Sequence, residues 1–207
     1  MIDRMNRGER ARADILDAAE RLIAERGIQV PLRDIAVAAG QRNNSAVNYH
    51  FRNRQDLIDA IVRRRLEPME RERAQMVDEL EGDARDDVRA WLRIMVLPFA
   101  GVGSPYYARF LQAASMHLRA DVDESQGPVW PKVLERLALA IPTDDRHARS
   151  RRVSAIATTM FALLAERERL AEAGADAGSP EEIVVMLAAA LTAPMPADVA
   201  SAGASSG

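Results

Sequence analysis

Apolar residues recur along this chain at intervals of three and four, and no stretch alternates with the period of two that a half-buried strand requires. The pattern predicts an all-α protein. The first helix spans about Arg7 to Arg26, where Ile15, Ala19, Leu22 and Ile23 share a face and Gly27 provides the stop. A short second helix lies in VPLRDIAVAAG. Pro31 suits its first turn, Leu32, Ile35 and Ala36 face inward, and Gly40 ends it. QRNN is a turn, and Asn44 is the expected N-cap of a third helix from Ser45 to about Phe51. Asn53 followed by Asp56 resembles a capping box. It opens a fourth helix that continues toward Leu80, with Pro68 as an internal break or kink.

Gly82 and Asp83 mark the next turn, and further helices are predicted at about 85–98, 104–119, 128–141, 145–172 and 180–193. Ser104-Pro105 and Ser179-Pro180 read as N-caps with first-turn prolines, and Glu182 completes a capping box with Ser179. The tail, ADVASAGASSG behind Pro194 and Pro196, packs little and is expected to be disordered. The division predicted is a helix-turn-helix unit at 1–53, a larger helical unit at 54–193 and a tail at 194–207.

Composition narrows the function classes. With no cysteine there is no disulfide, thiol nucleophile or cysteine-based metal site. Three histidines at 50, 117 and 147 lack metal-ligand spacing, so no metal and no cofactor is expected. His117 stands four residues before Asp121 and is able to pair with it, whereas His147, between Arg146 and Arg149, reads as solvent-facing. No secretion signal opens the chain, and the longest apolar run, Ile183 to Leu191, is too short for a bilayer. The expected location is the cytoplasm, with no membrane partner. The formal charge of −3 is unevenly spread. Residues 1–54 hold ten arginines against seven acids, while the remainder holds 18 basic against 24 acidic residues. A basic first quarter on an acidic chain is the footprint of a local polyanion contact, or simply of a solvated helix face.

The chemistry of NNSAVNYHF, residues 43–51, bears on that choice. Short helices separated by a glycine-containing turn form a helix-turn-helix, whose second helix enters the DNA major groove N-terminus first. Such a helix needs small polar side chains at its tip. Asn43, Asn44 and Ser45 supply them, and Asn48 lies a turn along the Ser45 face. Val47 and Phe51, four apart, face the core. The Tyr49 phenol is placed to donate to a phosphate. The blander reading is that the amides cap a turn and the aromatics fill a small core.

NYHFRNRQDL resembles the signature that ends the recognition helix of TetR-type transcriptional regulators, and ILDAAERLIAERG and LRDIAVAAG resemble that family's first and second helices. The resemblance covers about residues 9–62. It implies a phosphate contact from Tyr49, a second from Arg54, where the family usually has a lysine, and a structural role for His50 and Phe51. Three features depart from the family. Asn48 stands in place of the first tyrosine of the aromatic cluster. The turn GQRNN is one residue longer. Pro31 and Leu32 stand near the usual phosphate-contacting threonine. Arg33 and Arg42 are placed to supply backbone contacts instead, with Arg52 beside them. Arg4, Arg7 and Arg10 are either a DNA-contacting arm or solvated.

A palindromic operator needs a two-fold dimer. Val153, Ile156, Ala157, Met160, Phe161 and Leu164 form one apolar stripe, and Ile183, Val184, Leu187, Ala188 and Leu191 form another. The resemblance implies that these helices pair with a second subunit as a four-helix bundle; alternatively both stripes complete the subunit core. Trp91, Met95, Phe99 and Tyr106, with Tyr107, Phe110, Met116 and Trp130, are large adaptable side chains in the middle helices. They suit either an apolar ligand cavity or an ordinary core.

The sequence therefore reads as a non-enzymatic, homodimeric DNA-binding transcriptional regulator, most simply a repressor released by a small apolar effector. Two rivals stand beside it. A helical enzyme or carrier lacks a nucleophile–base pair, a phosphate loop or a metal set. A helical small-molecule-binding or interaction protein with a degenerate DNA head remains open because of Asn48.

Overall fold

A computed structural model describes residues 7–41, 45–117, 127 and 129–194, with Met116 by its backbone alone. The described residues form nine α-helices and no strand: α1 (Arg7–Arg26), α2 (Leu32–Ala38), α3 (Ser45–His50), α4 (Arg54–Asp78), α5 (Val88–Ala100), α6 (Tyr107–Ala114), α7 (Val129–Leu139), α8 (Arg146–Glu172) and α9 (Pro180–Thr192). Gly27 and Gly40 take φ of 83° and 70°, the left-handed conformation that ends a helix at little cost for glycine. Asn53 caps α4 as its spacing predicts, its side-chain oxygen accepting from the Asp56 N–H at 2.8 Å. Arg42, Asn43, Asn44 and the predicted tail lie outside the described residues, apart from Pro194.

Several termini differ from their predicted positions. Pro68 does not divide α4, which runs unbroken through it, with the proline on the solvent side. Ser104 does not start a helix. Its hydroxyl accepts from the Tyr106 N–H at 3.2 Å and donates to the Glu20 carboxylate, so it shapes a turn and α6 begins three residues later. The α6 N-terminus is capped across the fold instead, where the Glu168 carboxylate accepts the N–H groups of Ala108 and Arg109 at 2.8 and 3.0 Å. Ser179 caps α9 by accepting from Glu181, not Glu182, at 3.2 Å.

The core divides into two apolar clusters. The first joins α1, α2, α3 and the first half of α4 to α6, through Ile15, Ile23, Val47, Leu57, Ile61 and Phe110. The second joins α5, α7, α8 and α9, through Leu92, Met95, Val133, Met160, Leu164 and Leu187. Phe99 and Phe161 pack against both. Helix α4 crosses from one to the other: Met69 belongs to the first cluster, and Met76 and Val77, with Leu80 just past its end, pack on the second.

The structure places most of the expected dimer residues in the subunit's own core, the alternative reading of the two stripes. Ile156, Met160 and Leu164 on α8 and Val184, Leu187 and Leu191 on α9 are at most 4% exposed inside one subunit, and Val153 and Ala157 pack half-buried beside them. The two stripes meet each other and the middle helices. The opposite faces are the ones left open: Val185 and Met186 on α9 are 51% and 47% exposed. Ser154, Ala155, Thr158 and Thr159 are exposed on α8.

Candidate nucleic-acid interface and effector region

Helix α3 is short and two-faced. Val47 and Phe51, just beyond its end, are 1% and 3% exposed, and the Arg12 guanidinium lies 5.2 Å from the Phe51 ring centroid. These contacts fix the helix against α1. Ser45, Asn48 and Tyr49 are exposed, Tyr49 at 85%. The Tyr49 ring meets His50 edge-on with centroids 5.1 Å apart, so the phenol projects outward from a supported ring.

The arginines around α3 differ in their commitments. Arg33 is exposed in the first turn of α2 and forms no ion pair among the described residues. Arg52 is also exposed, but its Nε and Nη2 donate to the two Asp56 oxygens at 2.8 and 2.9 Å. That pair lowers the Asp56 carboxyl below its usual value, chiefly through the hydrogen bond from Arg52. Arg54, carried over as a phosphate grip, is engaged internally: Nη1 and Nη2 each donate at 2.6 Å, to Ile28 O and Val30 O. It straps the loop between α1 and α2 to the start of α4. Sequence reading missed this role, because nothing local ties Arg54 to carbonyls 24 and 26 positions away.

Residues 15–61, which include α2, α3 and the arginines around them, match the bacterial regulatory proteins of the tetR family. This head belongs to the tetR family. The likeness of fold extends over most of the chain. The TetR-like transcriptional regulator LfrR from Mycobacterium smegmatis, solved in complex with proflavine, superposes with a TM-score of 0.52 at 23% identity, covering 91% of this chain and 99% of that one. A gamma-butyrolactone receptor, an ArpA-like protein, superposes at 0.53 with 24% identity, covering 89% and 98%. Comparison with curated proteins gave no match. The tetR-type head thus sits on an all-helical body of the architecture seen in these regulators. No helix among the described residues is long and apolar enough to cross a membrane, and none of their His, Asp and Glu residues group as a metal site.

Behind the tetR-type head, the expected pocket residues form a packed aromatic seam. Trp91, Met95, Tyr107, Phe110 and Trp130 are buried, with Phe99 and Tyr106 partly so; the Met116 side chain lies outside the described residues. Phe99 stacks on Tyr107 at 6.1 Å and meets Trp130 and Phe161 edge-on at 6.4 and 5.4 Å. Trp91 stands apart from that group, its indole N–H donating to Arg85 O at 2.8 Å. Two charged groups that sequence reading passed over lie in the interior. Arg73 is 0% exposed between the Phe99 and Trp130 rings, its guanidinium carbon 5.2 and 4.8 Å from their centroids. Glu20 is 2% exposed and accepts from Arg65 Nε and Nη2 at 2.9 and 3.2 Å. Glu20 also borders an open cleft of about 710 Å³ between α1, α4 and the turn at Ser104, which Tyr106 lines as well. Spacing alone did not reveal either group, since long charged helices usually carry their arginines outside.

Proposed function

We propose that the protein is a homodimeric transcriptional repressor that reads a palindromic operator and is released by a small, largely apolar effector. The carrying observation is α3: a helix pinned by Val47 and Phe51 that turns Ser45, Asn48 and Tyr49 to solvent within a tetR-type head. In this reading Asn43, Asn44, Ser45 and Asn48 touch base edges, and Tyr49, Arg33, Arg42 and Arg52 hold phosphates. Arg54 acts on DNA indirectly, by holding the α1–α2 loop.

The second subunit meets the outer faces of α8 and α9. Val185 and Met186 supply apolar area. The Thr158 and Thr159 hydroxyls donate to the Ser154 and Ala155 carbonyls of their own helix at 3.0 and 2.8 Å, so they enter an interface already hydrogen-bonded. The two similar folds supply the precedent for an effector: one was solved with proflavine and the other is a butyrolactone receptor. The test is selection of bound genomic fragments followed by a gel shift over a range of salt. Phosphate contacts impose a steep fall of affinity with salt. Absence of any preferred fragment at low ionic strength removes the reading.

A further inference from the structure

The outer face of α8 carries an order that the subunit's own packing does not use. Arg151, Ala155, Thr158, Ala162 and Glu166 recur at intervals of three and four and share one side of the helix. Ala162 is half-buried and the other four are exposed, while Ile156, Met160 and Leu164 fill the core from the opposite side. The strip is charged only at its ends. Arg151 makes no ion pair among the described residues. Glu166 is paired on the surface with Arg169, one turn along, at 2.8 Å. The side chains between them are small. The Thr158 hydroxyl, and that of Thr159 at the flank, are already satisfied by carbonyls of their own helix. A second backbone can therefore approach without stranding a donor.

About the peptide between Thr158 and Thr159 the strip is self-complementary. Arg151 and Glu166 are equidistant from that point, and so are Ala155 and Ala162. A two-fold axis through it, perpendicular to the helix, sets α8 antiparallel to α8 of a second copy. Each arginine then lies across from a glutamate, and each Ala155 across from Ala162. A parallel pairing sets Arg151 against Arg151 and Glu166 against Glu166, so that like charges face each other at both ends. Helix α9 extends the same face. Arg152 donates to the Leu191 and Ala193 carbonyls, which places the end of α9 beside the arginine end of the strip. The exposed Val185 and Met186 add apolar area on α9. A cleft of about 370 Å³ between the two helices, with Ala155, Thr159 and Ala190 in its lining, offers room for a side chain of the second copy.

We infer that the second subunit is held by an antiparallel pair of α8 helices that cross at Thr158 and Thr159, with Arg151 of each copy paired to Glu166 of the other. This inference deepens the homodimer reading and rests on it; it adds which helices meet, in which direction and in which register.

The chain contains no cysteine, so introduced cysteines report the arrangement directly. A disulfide needs Cβ atoms about 3.5–4.5 Å apart. Full-length Ala155→Cys and Ala162→Cys are oxidised separately, and as an equal mixture after subunit exchange. In the antiparallel pair, position 155 of one copy lies roughly 10 Å along the axis from position 155 of the other. Neither variant should cross-link to itself, and the mixture should give a disulfide dimer. Self-linking of either variant, or a dimer in sedimentation that the mixture does not trap, overturns the inference. Charge variants give a second readout at exposed positions. Arg151→Glu or Glu166→Arg alone should raise the dimer dissociation constant about ten-fold, because each dimer holds two pairs of surface strength. The two changes together should restore it, and failure to restore overturns the inference. A chain that sediments as a monomer at all concentrations removes the homodimer reading and the inference with it. A dimer with the wrong cross-links removes the inference alone.

Discussion

Within α3, neighbouring residues have opposite duties, and substitutions should separate them. Phe51→Ala removes a ring that is 3% exposed and should cost about 3–5 kcal/mol of stability, read by chemical denaturation, with DNA binding lost only because the head unravels. Asn48→Ala, at an exposed position, should leave stability alone. It should weaken operator binding by about 1–3 kcal/mol and relax selectivity at one base position. Equal weakening on all sequences would show that Asn48 touches backbone and not bases. Arg54→Ala should do something different again. It frees the Ile28 and Val30 carbonyls, so reduced thermal stability should accompany a uniform loss of DNA affinity. Alternation of buried and exposed positions made Val47, Phe51, Asn48 and Tyr49 legible from the sequence. Arg54 was legible only as a positive charge near DNA, because its partners lie on another element.

Among the helices, local signals predicted existence well and outward faces poorly. The glycines after α1 and α2 and the Asn53 cap are short-range features that operate through backbone geometry, and the structure retains them. Ser104 looked like the same kind of signal, but a buried carboxylate from α1 claimed its hydroxyl. The apolar stripes on α8 and α9 were correctly seen, and the structure packs them inside one subunit. Helix α9 is apolar on both sides, and periodicity finds stripes without saying which one faces the subunit's own core. Val185 and Met186 are apolar residues left exposed opposite the stripe that fills the core. Met186→Glu should therefore convert a dimer to monomers in sedimentation analysis with little loss of helicity, whereas Val184→Glu, at a position 1% exposed, should unfold the subunit. Pro68 gives a second test at this scale. Inside an unbroken α4 it removes one helical hydrogen bond, so Pro68→Ala should stabilise the protein by up to about 3 kcal/mol. If softness at Pro68 transmits effector binding, the same variant should also show weaker effector control of operator affinity. Unchanged control would assign Pro68 no part in signalling.

At the scale of the whole chain, the all-helical body behind a tetR-type head was legible early. The interior charges, Glu20 and Arg73, were not, because only the assembled helices show what surrounds them. The boundary is also less simple than a cut after residue 53. The head's apolar cluster takes in the first half of α4 and most of the buried face of α6, and Gln55 Nε2 donates to His117 O at 2.9 Å just past the end of α6. Helix α6 is thus fastened to the head at one end by Gln55 and packed along α1, with Ser104 and Glu20 tied together before it starts. The two apolar clusters, bridged by α6, Phe99 and Phe161, therefore do not divide at the chain connection at the top of α4. Helix α6 is gripped from both sides, by Gln55 and α1 of the head and by Glu168 and Glu172 on α8, so a shift of α8 reaches the head through it. In the proposed dimer, a displacement near Phe99 carried along α6 would change how the two heads fit the pitch of the double helix.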